Sequence, residues 1–360
     1  MTTRRFRLLS VLLLAALAIG PRAGLAAQGR VRVVATLPNL GSIASAVGGY
    51  RVEVTTIAVG TQDAHFVDPK PSYMVRLKNA DLLLVNGLDL EIGWVPPLTQ
   101  GARNPRILPD GPGYIDCSSG VRVMEIPSSL SRSEGDVHPY GNPHYLIDPL
   151  NAETVAGTIA EALKKADPGS AAIYEDGRKA FVKRLHEAVF GKELVDLAGG
   201  SKLAREAAAG TLDAFLDGTS LGGASLRTHL GGWLGGMQPL RGWPIITYHK
   251  DWSYFASRFG LRVVEYVEPK PGIQPSAKHL EELVVRLRQG DIRVIVTRPF
   301  VEHRSTDSLA AKTGVQAITL PIEVGGAAEA TDYFKLFDYV TGQLLKAHGT
   351  AGPGPAGAAR

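Results

Sequence analysis

Residues 79–87 read NADLLLVNG, and this stretch decides the fold class. From Leu82 to Val85 the side chains are apolar without interruption, between a polar lead and Gly87. A strand with one wet face alternates apolar and polar residues. A continuous apolar run closed by a turn residue fits a strand covered on both faces, as in a parallel sheet flanked by helices. Upstream, residues 30–36 and 51–58 carry β-branched side chains at period two and read as strands. Pro71 and Ser72 open a short helix over 71–80. Downstream, Asn151 reads as an N-cap for a helix to about residue 165.

The alternation resumes later in the chain. Strands are expected over 244–248, 261–267, 292–297 and 315–320, separated by helices over 252–260, 276–289 (with Ser276 as cap) and 305–313. A last helix covers 332–347. Between the two halves, apolar residues from Ile173 to Leu194 recur at helical spacing, with Gly177 and Gly191 against the pattern. Strands spaced by helices imply right-handed parallel crossovers. The fold class is therefore α/β, two Rossmann-like lobes with parallel sheets joined by a long connecting helix. The expected division is an export signal (1–27), an N-terminal lobe (28–167), the connecting helix (168–198), a C-terminal lobe (199–348) and a disordered tail (349–360). Residues 199–242 are glycine-rich, with GGASLRTHLGGWLGGMQ at 222–238, and show no clear period.

Composition narrows the function classes. Arg4, Arg5 and Arg7 precede an apolar run from Leu8 to Ile19, and small residues surround Ala27, the pattern of a cleaved export signal. The run falls short of the ~20 residues that span a bilayer, which disfavours the alternative of a retained anchor. No Cys follows it, so the acceptor for a bacterial lipid anchor is missing. The chain carries 39 Lys+Arg against 35 Asp+Glu. The four Arg of residues 1–27, where there is no acid, account for the whole excess. Without a retained basic stripe, nucleic-acid binding is excluded. Cys117 is the lone cysteine and reads as a small buried hydrophobe. A soluble, periplasmic monomer is the expectation.

In open parallel sheets, functional side chains gather beyond the carboxyl ends of the strands. His65 lies in TQDAHFVDPKPS (61–72), His144 in GNPHYLIDP (141–149), His249 directly after the strand at 244–248, and Glu323 in LPIEVGG (320–326). Two come from each half. Three imidazoles and a carboxylate suit tetrahedral Zn²⁺, whereas oxygen-rich sets suit Mn²⁺ or Mg²⁺. Four protein ligands leave no open position for a reacting water, which favours binding over catalysis. Scattered ligands are a weaker signal than a compact motif.

Those segments, with TLPNLGSIASAVGG (36–49), NADLLLVNGLDLE (79–91) and YHKDWSYFASRFGL (248–261), resemble the zinc/manganese, TroA-like solute-binding proteins of bacterial ABC importers. The resemblance runs in order from about residue 31 to 347. It implies metal ligation by His65, His144 and His249, with Glu323 in the place of the family's usual Asp. It also implies a rigid helix between two lobes and delivery of the metal to a membrane permease. A histidine at position 249 is associated in the family with zinc, and Glu there with manganese. Many zinc members carry a long His/Asp/Glu-rich loop before NPH, whereas residues 101–143 contain only His138 among histidines.

His138 is an accessory candidate at the cleft rim, and Asp148 a candidate acceptor for the second ring nitrogen of His144. Asp63, Asp68 and Asp251 flank ligand histidines as either acceptors or solvated groups. His186, His279 and His348 are expected to face solvent, and His229 to lie in a flexible loop. The reading is a non-enzymatic extracytoplasmic protein that captures zinc for an ABC permease. Manganese or iron selectivity is the alternative. An exported metallochaperone, an adhesin and a metallohydrolase with Glu323 as base are further alternatives, the last without a GxSxG or HExxH motif to support it.

Overall fold

The structure is a computed structural model that describes residues 29–128, 138–270 and 272–350. The export signal expected over 1–27 and the tail from 351 lie outside the described residues. The first half runs β1 (Val31–Ala35), α1 (Pro38–Gly48), β2 (Val52–Thr56), α2 (Pro71–Lys78), β3 (Leu82–Val85), α3 (Val95–Ala102), β4 (Tyr114–Asp116) and α4 (Asn151–Ala166). Its sheet has the order β2-β1-β3-β4 with every pair parallel. All four residues of β3 are buried, as the unbroken apolar run requires. The sequence did not signal α3 or β4. α3 contains two prolines and a glycine, and β4 is three residues long, too short for a period to register.

α5 (Ala171–Phe190) follows, packed on both α1 and α4. The close approach to α1 needs Gly177, where a Cβ would run into the carbonyl oxygen of Val47. The helix is shorter than its sequence pattern. Gly191, at φ 86°, ends it, and a Cβ there would stand 2.8 Å from Gly231 Cα. Residues 192–236 then form α6 (Lys192–Ala198), α7 (Gly200–Ala209), α8 (Leu212–Gly218), a hairpin of β5 (Ser220–Leu221) and β6 (Ala224–Ser225), and α9 (Gly232–Gly236). The glycine-rich segment is thus ordered into short elements. Their apolar anchors, among them Leu203, Leu216, Trp233 and Leu234, are buried but too widely spaced to show a period.

The second half runs β7 (Pro244–Thr247), α10 (Ser253–Phe259), β8 (Arg262–Tyr266), α11 (Ala277–Leu287), β9 (Val294–Thr297), α12 (Arg304–Thr313), β10 (Gln316–Thr319) and α13 (Tyr333–Thr350). Its parallel sheet has the order β10-β9-β7-β8. Ser276 caps α11 by accepting from the His279 N–H at 3.2 Å. Asn151, in contrast, is the first residue of α4 and caps nothing; its side chain donates to the Tyr145 carbonyl at 2.9 Å. Residues 349 and 350, assigned to the tail by composition, complete α13. Cys117 is fully buried. No helix among the described residues is long and apolar enough to cross a membrane.

Side chains from loops beyond the strands tie the two halves. Asn39 Nδ2 donates to the Ile322 carbonyl at 2.8 Å, and Asn39 Oδ1 accepts from Val324 N at 2.9 Å. Asn142 Nδ2 donates to the Lys250 carbonyl at 2.7 Å, and Tyr254 Oη to the Asn142 carbonyl at 2.9 Å. Arg258 of α10 holds both oxygens of Asp148, at 2.9 and 2.8 Å. Within the first half, Glu91 joins the ends of β1 and β3. It accepts from Thr36 Oγ1 and Asn86 N, both at 2.6 Å, and from Gly87 N at 3.1 Å.

Two stability predictions follow from these buried groups. Burial pushes the Glu91 carboxyl up to about 7, against the pull of its three donors. A raised folded pKa means that the native state holds a proton the unfolded chain has released. The stabilisation is full below about 4.5 and is lost as pH rises through about 7. Urea unfolding at pH 4 and pH 8 should show Glu91→Gln lacking a loss of roughly 3 kcal/mol that the wild type suffers over that interval. Asp148→Ala leaves the half-buried Arg258 with only the Ala207 carbonyl as partner and should cost about 2–3 kcal/mol at pH 7 in the same assay.

Candidate metal centre

The loop after β2 carries His65, the loop into α4 carries His144, and the residue two beyond β7 is His249. A candidate ligand nitrogen from each lies within 4.8 Å of the other two. Ring centroids are 5.3 Å apart for His65–His144, 6.0 Å for His65–His249 and 6.1 Å for His144–His249. The planes are edge-on, at 63°, 77° and 84°. Edge-on rings aim nitrogens at a common point instead of stacking. With Zn–N near 2.0–2.1 Å, a tetrahedral shell places its nitrogens about 3.3 Å apart. The three rings therefore stand one small closure away from that shell. His144 Nε2 and His249 Nδ1 are buried with no hydrogen-bond partner within the protein.

Electrostatics keep His144 in the form that binds a cation. Burial, followed by the neighbouring imidazoles of His65 and His249, pushes His144 well below the usual histidine range. His65 is oriented by Asp63, whose Oδ1 lies 2.6 Å from His65 Nδ1. Nδ1 donates in that bond, since the ionised carboxylate can only accept, and Nε2 points the other way, toward His138. Burial alone would raise Asp63. The hydrogen bonds from His65 and the charge of Arg298 instead hold it well below the usual carboxylate range. Glu268 Oε1 stands 3.4 Å from His249 Nδ1.

The other candidates divide. His138 Nε2 lies 3.0 Å from His65 Nε2, so the rim residue is at the cluster itself. Burial and the imidazoles of His65 and His249 push it down to about 3, and it is neutral at pH 7. Glu323 is not in the convergent set. Its Oε2 accepts from Asn39 N at 2.9 Å, while it shares a cavity with His144, Asp63 and Arg298. Burial raises Glu323 to about 8, against the Asn39 N–H. Asp148 does not orient His144. Its oxygens are taken by Arg258 and by Leu150 N, because α10 of the second half packs a guanidinium against that loop. Asp68 is exposed.

Sequence reasoning missed Arg298 and Glu268, since a charged residue after a strand is ordinary in sequence and its burial is not readable there. Arg298 is 3% exposed and stands 3.1 Å from Asp251, which is fully buried. Of the histidines expected to face solvent, His186 and His279 instead have protein partners, and His229, expected in a flexible loop, ends a short helical turn. His186 is buried against Glu153 at 2.8 Å, His229 bonds Glu193 at 2.7 Å, and His279 lies 2.9 Å from the Tyr266 carbonyl oxygen.

The profile of the family described as zinc-uptake complex component A, periplasmic, matches residues 33–189 and 236–347. The interval it omits contains most of the short helices and the hairpin between the halves. The manganese ABC transporter substrate-binding lipoprotein PsaA of Streptococcus mitis is 28% identical over 180 residues, 49% of this chain and 55% of that protein. The iron ABC transporter substrate-binding lipoprotein MtsA of Streptococcus pyogenes serotype M1 is 27% identical over 161 residues, 44% of this chain and 49% of that one. The chain spans about half the length of the curated relatives it matches. Among solved structures, a crystal structure of ZnuA superposes with a TM-score of 0.65 at 20% identity, covering 88% of this chain and 99% of the other. The solute-binding protein FpvC of Pseudomonas aeruginosa in complex with Mn²⁺ gives 0.65 at 21% identity, covering 90% and 100%. At those identities the structures speak for the fold, and the profile match speaks for descent: the chain belongs to the periplasmic zinc-uptake complex component A family.

Proposed function

We propose that this protein is an extracytoplasmic solute-binding protein that captures one divalent transition-metal ion, zinc in preference to manganese, and hands it to an ABC permease. The observation that carries the reading is the convergence of His65, His144 and His249, with ligand nitrogens within 4.8 Å of one another. Neutral imidazoles favour borderline ions such as Zn²⁺ over Mn²⁺, which takes oxygen ligands. Manganese is the second reading, because a relative is named for that metal and one structural neighbour holds it.

Glu323 is our candidate for the fourth ligand. It is a buried carboxylate in the cavity that His144 also lines, held there by the Asn39 N–H at 2.9 Å. Binding a cation favours the ionised form of a buried acid. The metal is cargo, so the site has to release it as well as hold it. Export follows from the basic and apolar segments at Arg4–Ile19, and the permease partner from the family.

Metal-stripped protein should take up one equivalent of Zn²⁺ in an isothermal titration, and the double variant His65→Ala, His144→Ala none. Unchanged stoichiometry and affinity in that variant would sink the assignment. In direct competition, Zn²⁺ should outbind Mn²⁺ by about 100-fold or more, in line with the general order for nitrogen sites. A preference for Mn²⁺ would establish the second reading.

A further inference from the structure

Arg298 directly follows β9, in the second half of the chain. Its side chain is 4% exposed, and its guanidinium carbon lies 4.6 Å from the centre of the Phe300 ring. Nε stands 3.1 Å from Asp251 Oδ2, and Nη2 stands 3.9 Å from Asp63 Oδ2. Asp251 lies two residues after His249, whereas Asp63 lies two residues before His65 and comes from the first half. One carboxylate would suffice to neutralise a buried guanidinium. The second is drawn from across the cleft.

That second carboxylate has a task of its own. The other oxygen of Asp63, Oδ1, accepts from both the Nδ1 and the backbone N–H of His65, at 2.6 and 3.0 Å. A continuous chain of charged and hydrogen-bonded groups therefore runs from Asp251 through Arg298 and Asp63 to a metal-ligand candidate. The Arg298–Asp63 contact is about 1 Å longer than a fully formed charge-assisted hydrogen bond. Neither Nη1 nor Nε of Arg298 has a hydrogen-bond partner within the protein, so the guanidinium is held at Asp251 as an ion pair and keeps unused donors near Asp63.

We propose that Arg298 is a positioning residue for metal capture, which fixes Asp63 so that His65 presents its Nε2 lone pair only when the second half lies against the first. The proposal rests on the metal-binding function set out above. Arg298 touches no metal in this scheme. It makes the aim of a ligand in one half depend on a cation in the other, so that separation of the halves loosens His65 and lets the ion leave.

The test uses Zn²⁺ and the full chain. Arg298→Met combined with Asp251→Asn removes the guanidinium together with the carboxylate nearest to it, so that neither is left buried without the other. The readouts are the Zn²⁺ release rate into a chromophoric chelator, the ¹⁵N spectrum of the imidazoles and the unfolding midpoint of the metal-free protein. The expected result is release about 10- to 100-fold faster, loss of the Nδ1-protonated form of His65, and a midpoint close to wild type. Adding Asp63→Asn should bring no further acceleration, because the same link is already cut. An unchanged release rate, or effects that multiply with Asp63→Asn, would overturn the proposal. If the pair variant does not fold, Arg298→Lys replaces it. A single ammonium cannot keep both contacts, so faster release is expected and the wild-type rate overturns the idea. A wild-type protein that takes up no Zn²⁺ would overturn the metal-binding function itself, and this inference with it.

Discussion

Several imidazoles buried side by side can be kept only if they stay neutral, and the architecture around the cleft serves that constraint. Charging His144 would place a cation in a desolvated pocket beside two other rings, so burial depresses its proton affinity. Neutral rings also need their tautomers chosen, because each has one donor and one acceptor nitrogen. Asp63 settles this for His65 by accepting a hydrogen bond from its Nδ1–H, and Glu268 stands close to His249. The carboxylates of Asp251 and Asp63 stand 3.1 and 3.9 Å from the guanidinium of Arg298, and this pairing is why a buried arginine is tolerable so near the imidazoles.

The same constraint explains why the site is shared between two sheets. A single sheet edge could supply the loops after β2 and before α4, but not a third imidazole on the opposite side. His249 arrives from β7 of the second sheet, so the chain must bring two sets of strand ends face to face. Asn39, Asn142, Tyr254 and the Asp148–Arg258 pair do this with directional polar contacts. Such contacts fix register more than they add net stability, since each exchanges bonds with water for bonds within the protein.

Much of the fold was legible from pattern. The apolar run at Leu82–Val85 announced a two-sided strand, and the β-branched runs and Ser276 cap fell where the structure has them. The misses share a physical cause. α3, with two prolines and a glycine, β4 with three residues, and the short elements of 192–236 are held by tertiary packing, so local propensity says little about them. Gly191 ends α5 because Gly231 approaches it, a contact 40 residues away in sequence. Asn151 has the composition of a cap without the role, since its side chain is claimed by Tyr145.

Sequence alone determined which residue types stand beyond which strands. His65, His144 and His249 could be expected near one another because strand ends in parallel sheets converge, whatever the details of packing. Tertiary structure decided which polar groups are partnered. It placed His138 against His65, set Glu323 on Asn39 instead of among the imidazoles, and gave Asp148 to Arg258. It also buried Arg298 between Asp251 and Asp63. Charge pairing depends on distances of a few ångströms between segments far apart in the chain. Periodicity records which face a residue occupies, and it carries no record of what stands opposite.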